Sequence, residues 1–472
     1  MSTVHTFPVK TCRQQLLADT LTPVAVFLRV RHNFKNSVIL ESADYHGREH
    51  GFSHIAFNPI ASFELNDSKV TQVLPDGSQE EFVLENKKLA VQALKNFADR
   101  FEFQIQPGDS PMANGLFGHI SYDAVQYFED IQIQLKNTET EIPSIKYLVY
   151  KYVIAINHFN NQMTCYAHSY DGSEPNLDFV NQLLNGPQNA VEPFSMVGEE
   201  KTNLTDDQIR LIVNTCIKHC LRGDVFQIVP SRRFSQDFKG DDFQVYRALR
   251  SVNPSPYMFY FDYENYRIFG ASPEKQIKID KGLAEIHPIA GTFRRSGDDE
   301  KDAELAKALT EDPKETAEHV MLVDLARNDL SKSADEVKVE TFKEVQFFSH
   351  VIHLVSKVTG KMHNGVNPLQ LVADTFPAGT LSGAPKHNAM TIINRLEPTN
   401  RHIYGGAIGF MDFDGNFNHA IAIRTFLSKG KTLFYQAGMG VVAKSNVDSE
   451  MQEIHNKLAA LKRALDVAQN LK

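Results

Sequence analysis

The chain has 472 residues, 42% hydrophobic and 23% charged, a globular composition with room for more than one core. Its formal net charge of −9, with no block of Lys or Arg, excludes a basic nucleic-acid-binding surface. There is no run of about 18 apolar residues and no apolar segment of signal-peptide length at the start; Cys12, Cys165, Cys216 and Cys220 lack zinc or redox spacing, so a reduced, cytoplasmic protein off the membrane is expected.

Residues 1 to about 20 read as a lead-in helix or arm. Val24–Val30, Asn36–Ser42 and Gly51–Phe57 read as strands. Lys87–Phe103 reads as a helix, and Gly115–Phe128 as a strand running into a helix. Tyr147–Ala155 and Gln162–Tyr170 form a pair about the Asn160-Asn161 turn. Residues 171 to about 203 are polar and rich in Gly and Pro, and divide the chain into units 1–203 and 204–472.

In the second unit Asp206–Arg222 is a helix stopped by Gly223, followed by a strand at Val225–Val229 and a helix at Val245–Val252. Tyr257–Phe261 with Tyr266–Phe269, and Ile277–Ile279 with Leu283–Pro288, read as hairpins. Strands follow near Val337–Val345 and His350–Val358, then a helix at Pro385–Arg395. Strands at Ala407–Asp412, His419–Leu427 and Thr432–Gln436 precede a final helix. Antiparallel runs interleaved with helices give an α+β class, antiparallel sheets packed with helices.

The helix opening at Asp312 carries the strongest signal. Asp312 is a cap, Pro313 fits the first helical position, and Glu315 completes a capping-box pattern. Glu315 and Glu318 share one face, and Val320, Met321, Val323, Leu325 and Ala326 are apolar enough to bury the rest. Alone, the pair reads more readily as a cap at Glu315 and a solvated first-turn acid at Glu318 than as a site. The final helix repeats the pattern with Glu450 and Glu453, beside an apolar stripe of Met451, Ile454, Leu458, Leu461 and Leu465, with Asp448 a candidate cap. If the two faces meet, four carboxylates converge and a hard divalent cation such as Mg²⁺ is expected.

Other stretches place chemistry beside turns. Gly270-Ala-Ser-Pro-Glu274 ends a strand in a carboxylate, and Ile289-Ala290-Gly291-Thr292 joins bare backbone to a hydroxyl. Phe376-Pro-Ala-Gly379-Thr380-Leu-Ser-Gly-Ala-Pro385-Lys386 is a small-residue loop feeding a helix N-terminus. Lys386 there opposes the helix dipole, which favours a role at a site. Arg424 lies in an apolar strand and needs an anionic partner, either a structural acid or a substrate carboxylate.

Together these stretches resemble the large (component I) subunits of anthranilate synthase, within the chorismate-utilising enzymes. The likeness runs through residues 205 to about 463: Glu274, Gly291-Thr292, Glu315-x-x-Glu318, His353-Leu-Val-Ser356, Thr380, Tyr404, Arg424, Gly438-Met439-Gly440 and Glu450-x-x-Glu453. It is looser before residue 204, chiefly at Leu40-Glu-Ser42 and Gly115–Phe128. The family's usual Gly-Ala-Gly stands here as Gly438-Met439-Gly440, so the Met439 side chain must point away from substrate.

The resemblance implies the chorismate-utilising fold, with a regulatory unit at 1–203 and a chorismate-binding catalytic unit at 204–472. It implies conversion of chorismate and ammonia to anthranilate and pyruvate, the first committed step of tryptophan biosynthesis. Mg²⁺ is expected on Glu318 and Glu453, with Glu315 and Glu450 nearby, holding the ring carboxylate. Arg424, Tyr404 and the amides of Gly438, Met439 and Gly440 are expected at the enolpyruvyl carboxylate, with Gly291, Thr292 and Thr380 also in contact. Glu274 is the expected general acid, Thr292 lies beside it in the catalytic set, and His353 assists or only orients the substrate.

Ala290 stands where 4-amino enzymes of the family carry a nucleophilic Lys, and Gln227 where water-using isochorismate and salicylate synthases carry a Lys base; both favour 2-amination by ammonia. No cysteine has a glutaminase setting, so a separate glutamine amidotransferase subunit, and hence a hetero-oligomer, is expected. Tryptophan is expected as a feedback inhibitor at Ser42, Pro256, Tyr257 and Met258. The alternatives are a 4-amino-4-deoxychorismate-type synthase and a silent scaffold subunit; the cost of burying unpaired charges without a ligand disfavours the latter.

Overall fold

Two long strands, Phe52–Asn66 and Ile145–Asn157, run antiparallel along nearly their whole length, and two sheets grow from them. Their register shifts between Pro59 and Ala61, beside Asn58 with φ of 59°, and there the pair turns from one sheet into the other. The computed structural model describes residues 5–42, 51–103, 106–110, 112–134, 136, 139–187, 189–347 and 351–471.

In the first sheet, Lys10–Leu17 and Gln162–Ser169 lie outside one long strand. Val38–Glu41, Tyr257–Asp262, Tyr266–Ser272, Thr425–Lys429, Thr432–Gly438, Ser231–Lys239 and Ser195–Thr202 follow the other. The second sheet carries Leu116–Ile120, Ala407–Met411, Phe417–Ile421, Lys275–Asp280, Leu283–Ile286 and Val351–Met362 in turn. Ile289–Arg294 and Ala334–Phe347 flank the last of these. Every pairing in both sheets is antiparallel, as the α+β reading requires; Phe7–Pro8 beside Phe101–Glu102 is a small parallel pair apart from them.

Three cores explain the layering. Helices Pro23–Asn33, Asp206–Leu221, Phe243–Val252 and Val447–Ala468 bury their apolar faces with residues of the first sheet. Helices Ala90–Ala98, Pro313–Leu330 and Pro368–Thr375 do the same with the second. Between the sheets Phe117, Tyr150, Phe259, Phe261, Tyr266 and Phe410 form an aromatic core. Burial of each ring contributes about 1.5–3 kcal/mol. No described helix is long and apolar enough to cross a membrane.

Several elements depart from the sequence reading. Val24–Val30 is helical, because Thr22 accepts a hydrogen bond from the Ala25 N–H at 3.1 Å and Pro23 takes the first position. The lead-in segment is instead the strand Lys10–Leu17, held by pairing to 162–169. The Gly- and Pro-rich passage contains the helix Asp178–Asn185 and the strand Ser195–Thr202, which pairs with Ser231–Lys239. Helices Asp299–Glu311 and Pro368–Thr375 were not expected. The strand start expected at His350 lies outside the described residues, and the strand is described from Val351. Strands before residue 204 pair directly with strands after it, 38–41 with 257–262 and 116–120 with 407–411, so both sheets draw on both units.

Candidate active site

The predicted strand His419–Leu427 is broken at residues 422–424, and the break has a partner. Tyr266–Ser272 pairs with Thr425–Lys429 in the first sheet, while its continuation Lys275–Asp280 pairs with Phe417–Ile421 in the second. The two chains therefore change sheets together. The Ile421 N–H donates to the Glu274 carbonyl at 2.9 Å and the Ala271 N–H to the Arg424 carbonyl at 3.1 Å. Arg424 sits at φ 50°, left-handed backbone that a non-glycine residue adopts only under the insistence of its surroundings. Glu274 and Arg424 thus project from one double kink.

Glu274 keeps some open surface, as a group on a cleft floor does, yet burial pushes its carboxyl up to about 7. Thr380 donates to its Oε1 at 3.1 Å, and the fields of Lys457 and Arg424 act in the opposite sense to burial. Burial lowers the pKa of Arg424, and Glu274 is the acid whose field opposes that. Arg424 makes no ion pair among the described residues, so its guanidinium is suited to an incoming carboxylate.

Tyr404 is buried with its hydroxyl against the Gly438 backbone. The Cβ of any side chain at Gly438 would stand 2.9 Å from that hydroxyl, and one at Gly440 would stand 2.9 Å from Gln227 Nε2. Met439 is fully buried in the core under the first sheet, so its side chain does point away. Its N–H donates to the Pro230 carbonyl at 3.1 Å, which corrects the expectation that all three amides face substrate. Lys457, unassigned from sequence, donates to the Gly438 carbonyl at 2.9 Å and pairs with Glu453 at 2.5 Å. Its spacing of four from Glu453 was the available signal.

The helix Pro313–Leu330 opens as its sequence dictates, with Asp312 accepting from the Lys314 and Glu315 N–H groups at 2.8 and 3.0 Å. Leu322, Val323 and Ala326 are buried, whereas Val320 is exposed. The final helix is capped by Asn446 rather than Asp448, which pairs with Arg210 instead. Its apolar stripe is buried as expected. Burial raises the pKa of Glu315 and Glu318, and the Glu453 charge adds to both shifts. Glu450 is pushed up to about 7 by burial and by Glu453, and among the described residues its buried Oε2 has no hydrogen-bond partner.

The two Glu pairs therefore feel each other across the gap between their helices. Among the described residues no three Asp, Glu, His or Cys groups form a ready cage. Mutually repelling carboxylates with an orphaned oxygen suit a hard cation, and the open arrangement suits Mg²⁺, which keeps waters and takes one or two carboxylates plus substrate oxygens.

Gly291 adopts φ 69° at a register shift between Ala290 and Thr292, and a Cβ there would stand 2.9 Å from Leu309 and 3.3 Å from Glu315 Oε2. His353 donates from Nδ1 to the Gly291 carbonyl at 2.9 Å, which fixes its tautomer, and burial lowers its pKa, so the ring is neutral. The Thr292 backbone pairs with His353; its side chain lies outside the described structure. Lys386 is not at the site opening. It is buried and donates to Asp329 at 2.6 Å and to the Thr375 carbonyl at 2.9 Å, an internal ion pair that accounts for a cation in a first turn.

The four residues expected at an inhibitor site do come together. Ser42, Pro256, Tyr257 and Met258 line one pocket together with His54 and Asn418. Glu41 also lines it, buried and bonded to Tyr246 at 2.5 Å and Arg250 at 2.8 Å.

Comparison with known proteins gives the family. Residues 36–463 match the model of the chorismate binding enzyme family. The chain is 35% identical to anthranilate synthase component 1 of Aquifex aeolicus, over 96% of this chain and 94% of that one. It is 36% identical to the component 1 of Neisseria gonorrhoeae, over 97% and 95%. Its fold is similar to the crystal structure of anthranilate synthase component I from Streptococcus pneumoniae, with TM-score 0.77 and 30% identity over 95% of this chain and 99% of that one. The menaquinone-specific isochorismate synthase of Escherichia coli, at 17% identity and TM-score 0.73 over 98% and 95%, shares the fold.

Proposed function

The chain belongs to the chorismate binding enzymes, and from that premise we propose that it converts chorismate and ammonia to anthranilate, pyruvate and water in tryptophan biosynthesis. The observation that carries the proposal is Glu274, an acid held protonated to about pH 7, across the double kink from Arg424, which makes no ion pair among the described residues. Near-full-length likeness to component 1 proteins selects amination among the reactions the fold supports.

Arg424 and the Tyr404 hydroxyl hold the enolpyruvyl carboxylate, with the Gly440 N–H the amide left open to it. Gly438 and Gly440 keep the backbone bare where the ring must approach. Ammonia forms a bond to C2 as the C4 hydroxyl departs. Hydroxide is a poor leaving group, so Glu274 gives it a proton and it leaves as water. The C2 hydrogen is then lost as a proton while the C3–O bond breaks, the departing enolpyruvate takes up a proton on its methylene carbon to become pyruvate, and the ring becomes aromatic. Neutral His353, its Nδ1–H committed to the Gly291 carbonyl, orients the segment beside Thr292 for this step. Glu318 and Glu453, with Glu315 and Glu450, would hold Mg²⁺, which supplies charge stabilisation at the ring carboxylate.

Glutamine use calls for a second, amidotransferase chain, since Cys165, Cys216 and Cys220 are buried and burial raises the thiol of each, half-buried Cys12 included. Tryptophan occupies the pocket at Ser42 and Met258 and inhibits from there. We place the chain in the cytoplasm.

The test is product identification from purified chain, chorismate, Mg²⁺ and ammonium. Anthranilate with equimolar pyruvate is expected; 4-amino-4-deoxychorismate would overturn the 2-amination reading, and no product would overturn the enzyme reading.

A further inference from the structure

The helix Pro313–Leu330 is seated unevenly. Its second half buries Val323, Ala326 and Leu330 in the core of the second sheet. Its first two turns, 313–320, carry Glu315 and Glu318 and bury one side chain, the polar His319, which is 0% exposed.

His319 reaches Ser356. A 2.6 Å hydrogen bond joins its Nε2 to Ser356 Oγ, and among the described residues its buried Nδ1 has no partner. Ser356 is also fully buried, and its Oγ accepts from the Lys343 N–H at 3.0 Å. Lys343 stands at φ 55°, where the strand Ala334–Phe347 shifts register between Thr341 and Glu344. Its ammonium ties the two helices at their junction. It donates to the Thr310 carbonyl, in the last turn of Asp299–Glu311, at 3.1 Å and to Thr316 Oγ1, in the first turn of Pro313–Leu330, at 2.8 Å. One hydroxyl on the strand Val351–Met362 therefore meets the neighbouring strand through Lys343 and the helix through His319. Ser356 ends the His353-Leu-Val-Ser356 stretch, and no step of the reaction uses it.

We propose that Ser356 is a positioning residue for the metal carboxylates: through His319 it sets how far the first turns of the helix are rotated about their axis. The proposal rests on the reading of Glu315 and Glu318 as part of a Mg²⁺ site. Side chains reach about 5–6 Å from a helix axis, so a turn of about 20° moves a carboxylate by about 2 Å. Mg²⁺ demands near-ideal octahedral geometry, with distances held to within about 0.2 Å. Apolar contact is non-directional and tolerates such a turn. A 2.6 Å hydrogen bond weakens steeply when bent and does not. His319 follows Glu315 by four residues, onto the same face, and Glu318 by one, so the angle of its ring fixes both.

The test is Mg²⁺ binding to the whole chain without chorismate, read by calorimetry and by the rise in Tm. Ser356→Ala removes the hydroxyl and leaves both Glu pairs in place. Its Mg²⁺ affinity is expected to fall about tenfold, because the aligned helix becomes a minor population, while kcat at saturating Mg²⁺ stays within about twofold. His319→Leu should lose as much, and the double variant no more, since both cut one bond. Half-buried Lys343 can be changed without opening the core, and Lys343→Met weakens binding in the same direction. A lowered Tm with wild-type Mg²⁺ affinity in Ser356→Ala and Lys343→Met overturns the proposal, and so do losses that add in the double variant. Glu318→Gln run in parallel separates the two ideas. If it and wild type respond alike to Mg²⁺, the metal site falls and the positioning role with it. If Glu318→Gln loses the metal and Ser356→Ala holds it as wild type does, only the positioning role falls.

Discussion

Thr380 donates its hydroxyl hydrogen to Glu274 Oε1 at 3.1 Å, joining positions 106 residues apart in the chain. The bond favours the carboxylate and works against burial, which dominates and leaves the group at about 7. Thr380 therefore sets how far into the alkaline range the acid stays loaded.

Turnover should fall as pH rises through about 7, because Glu274 acts in its protonated form. Thr380→Val removes a bond worth about 1 kcal/mol, so the carboxyl pKa rises and the alkaline limb moves up by about one unit or less. A pH–rate profile of both proteins measures this. A limb that stays put would mean that another group controls it.

Mg²⁺ should raise Tm, most strongly above neutral pH. Glu274 and Glu450 hold protons to about 7 in the folded chain against 4.5 for the free group, so the folded state binds more protons between those values. Their contribution is full below about pH 4.5 and is lost as pH rises through about 7. A cation that binds the ionised carboxylates offsets the loss. Glu318→Gln should fold, abolish Mg²⁺-dependent turnover and lose most of the Tm gain; a full gain in that variant rules out this site.

Ala290→Lys should lower anthranilate formation at least tenfold and allow covalent capture of chorismate. Ala290 precedes Gly291 at the register shift beside Glu315, so a long cation there sits against the acidic groups. Mass spectrometry of the intact chain after incubation with chorismate reports the adduct. Undiminished anthranilate removes the argument from this position.

Ser42→Phe should fill the pocket at Met258 and relieve tryptophan inhibition with little change in uninhibited turnover. Rate against rising tryptophan at high and low chorismate is the measurement. Equal inhibition of both proteins places tryptophan elsewhere, and inhibition seen only at low chorismate places it against Arg424.

The sequence was most legible where one residue type has one physical use. Asp312-Pro313 capped its helix as written, Gly223 ended another at φ 81°, and the apolar stripe from Met451 to Leu465 found its core. It misled where tertiary pairing overrode local pattern. The β-branched run after Pro23 looks extended until Thr22 is seen as a cap, and Lys10–Leu17 becomes a strand only because 162–169 lies beside it. Lys386 looked functional because its partner, Asp329, is 57 residues away and no local rule links them. The Met439 amide was assigned to substrate because nothing in the sequence places Pro230 above it.

The shared kink also makes the two pockets mechanically one object. Met258 pairs with Ala271, three residues before Glu274, and Ala420 pairs with Lys275, the residue after it. Both Met258 and Ala420 line the second pocket. A ligand that wedges that pocket open therefore pulls on the two strands that hold the acid, through ladder hydrogen bonds rather than through any loop. If a ligand there acts on the acid, the response is a stiffness, set by how little those two strands can slide before Glu274 and Arg424 shift.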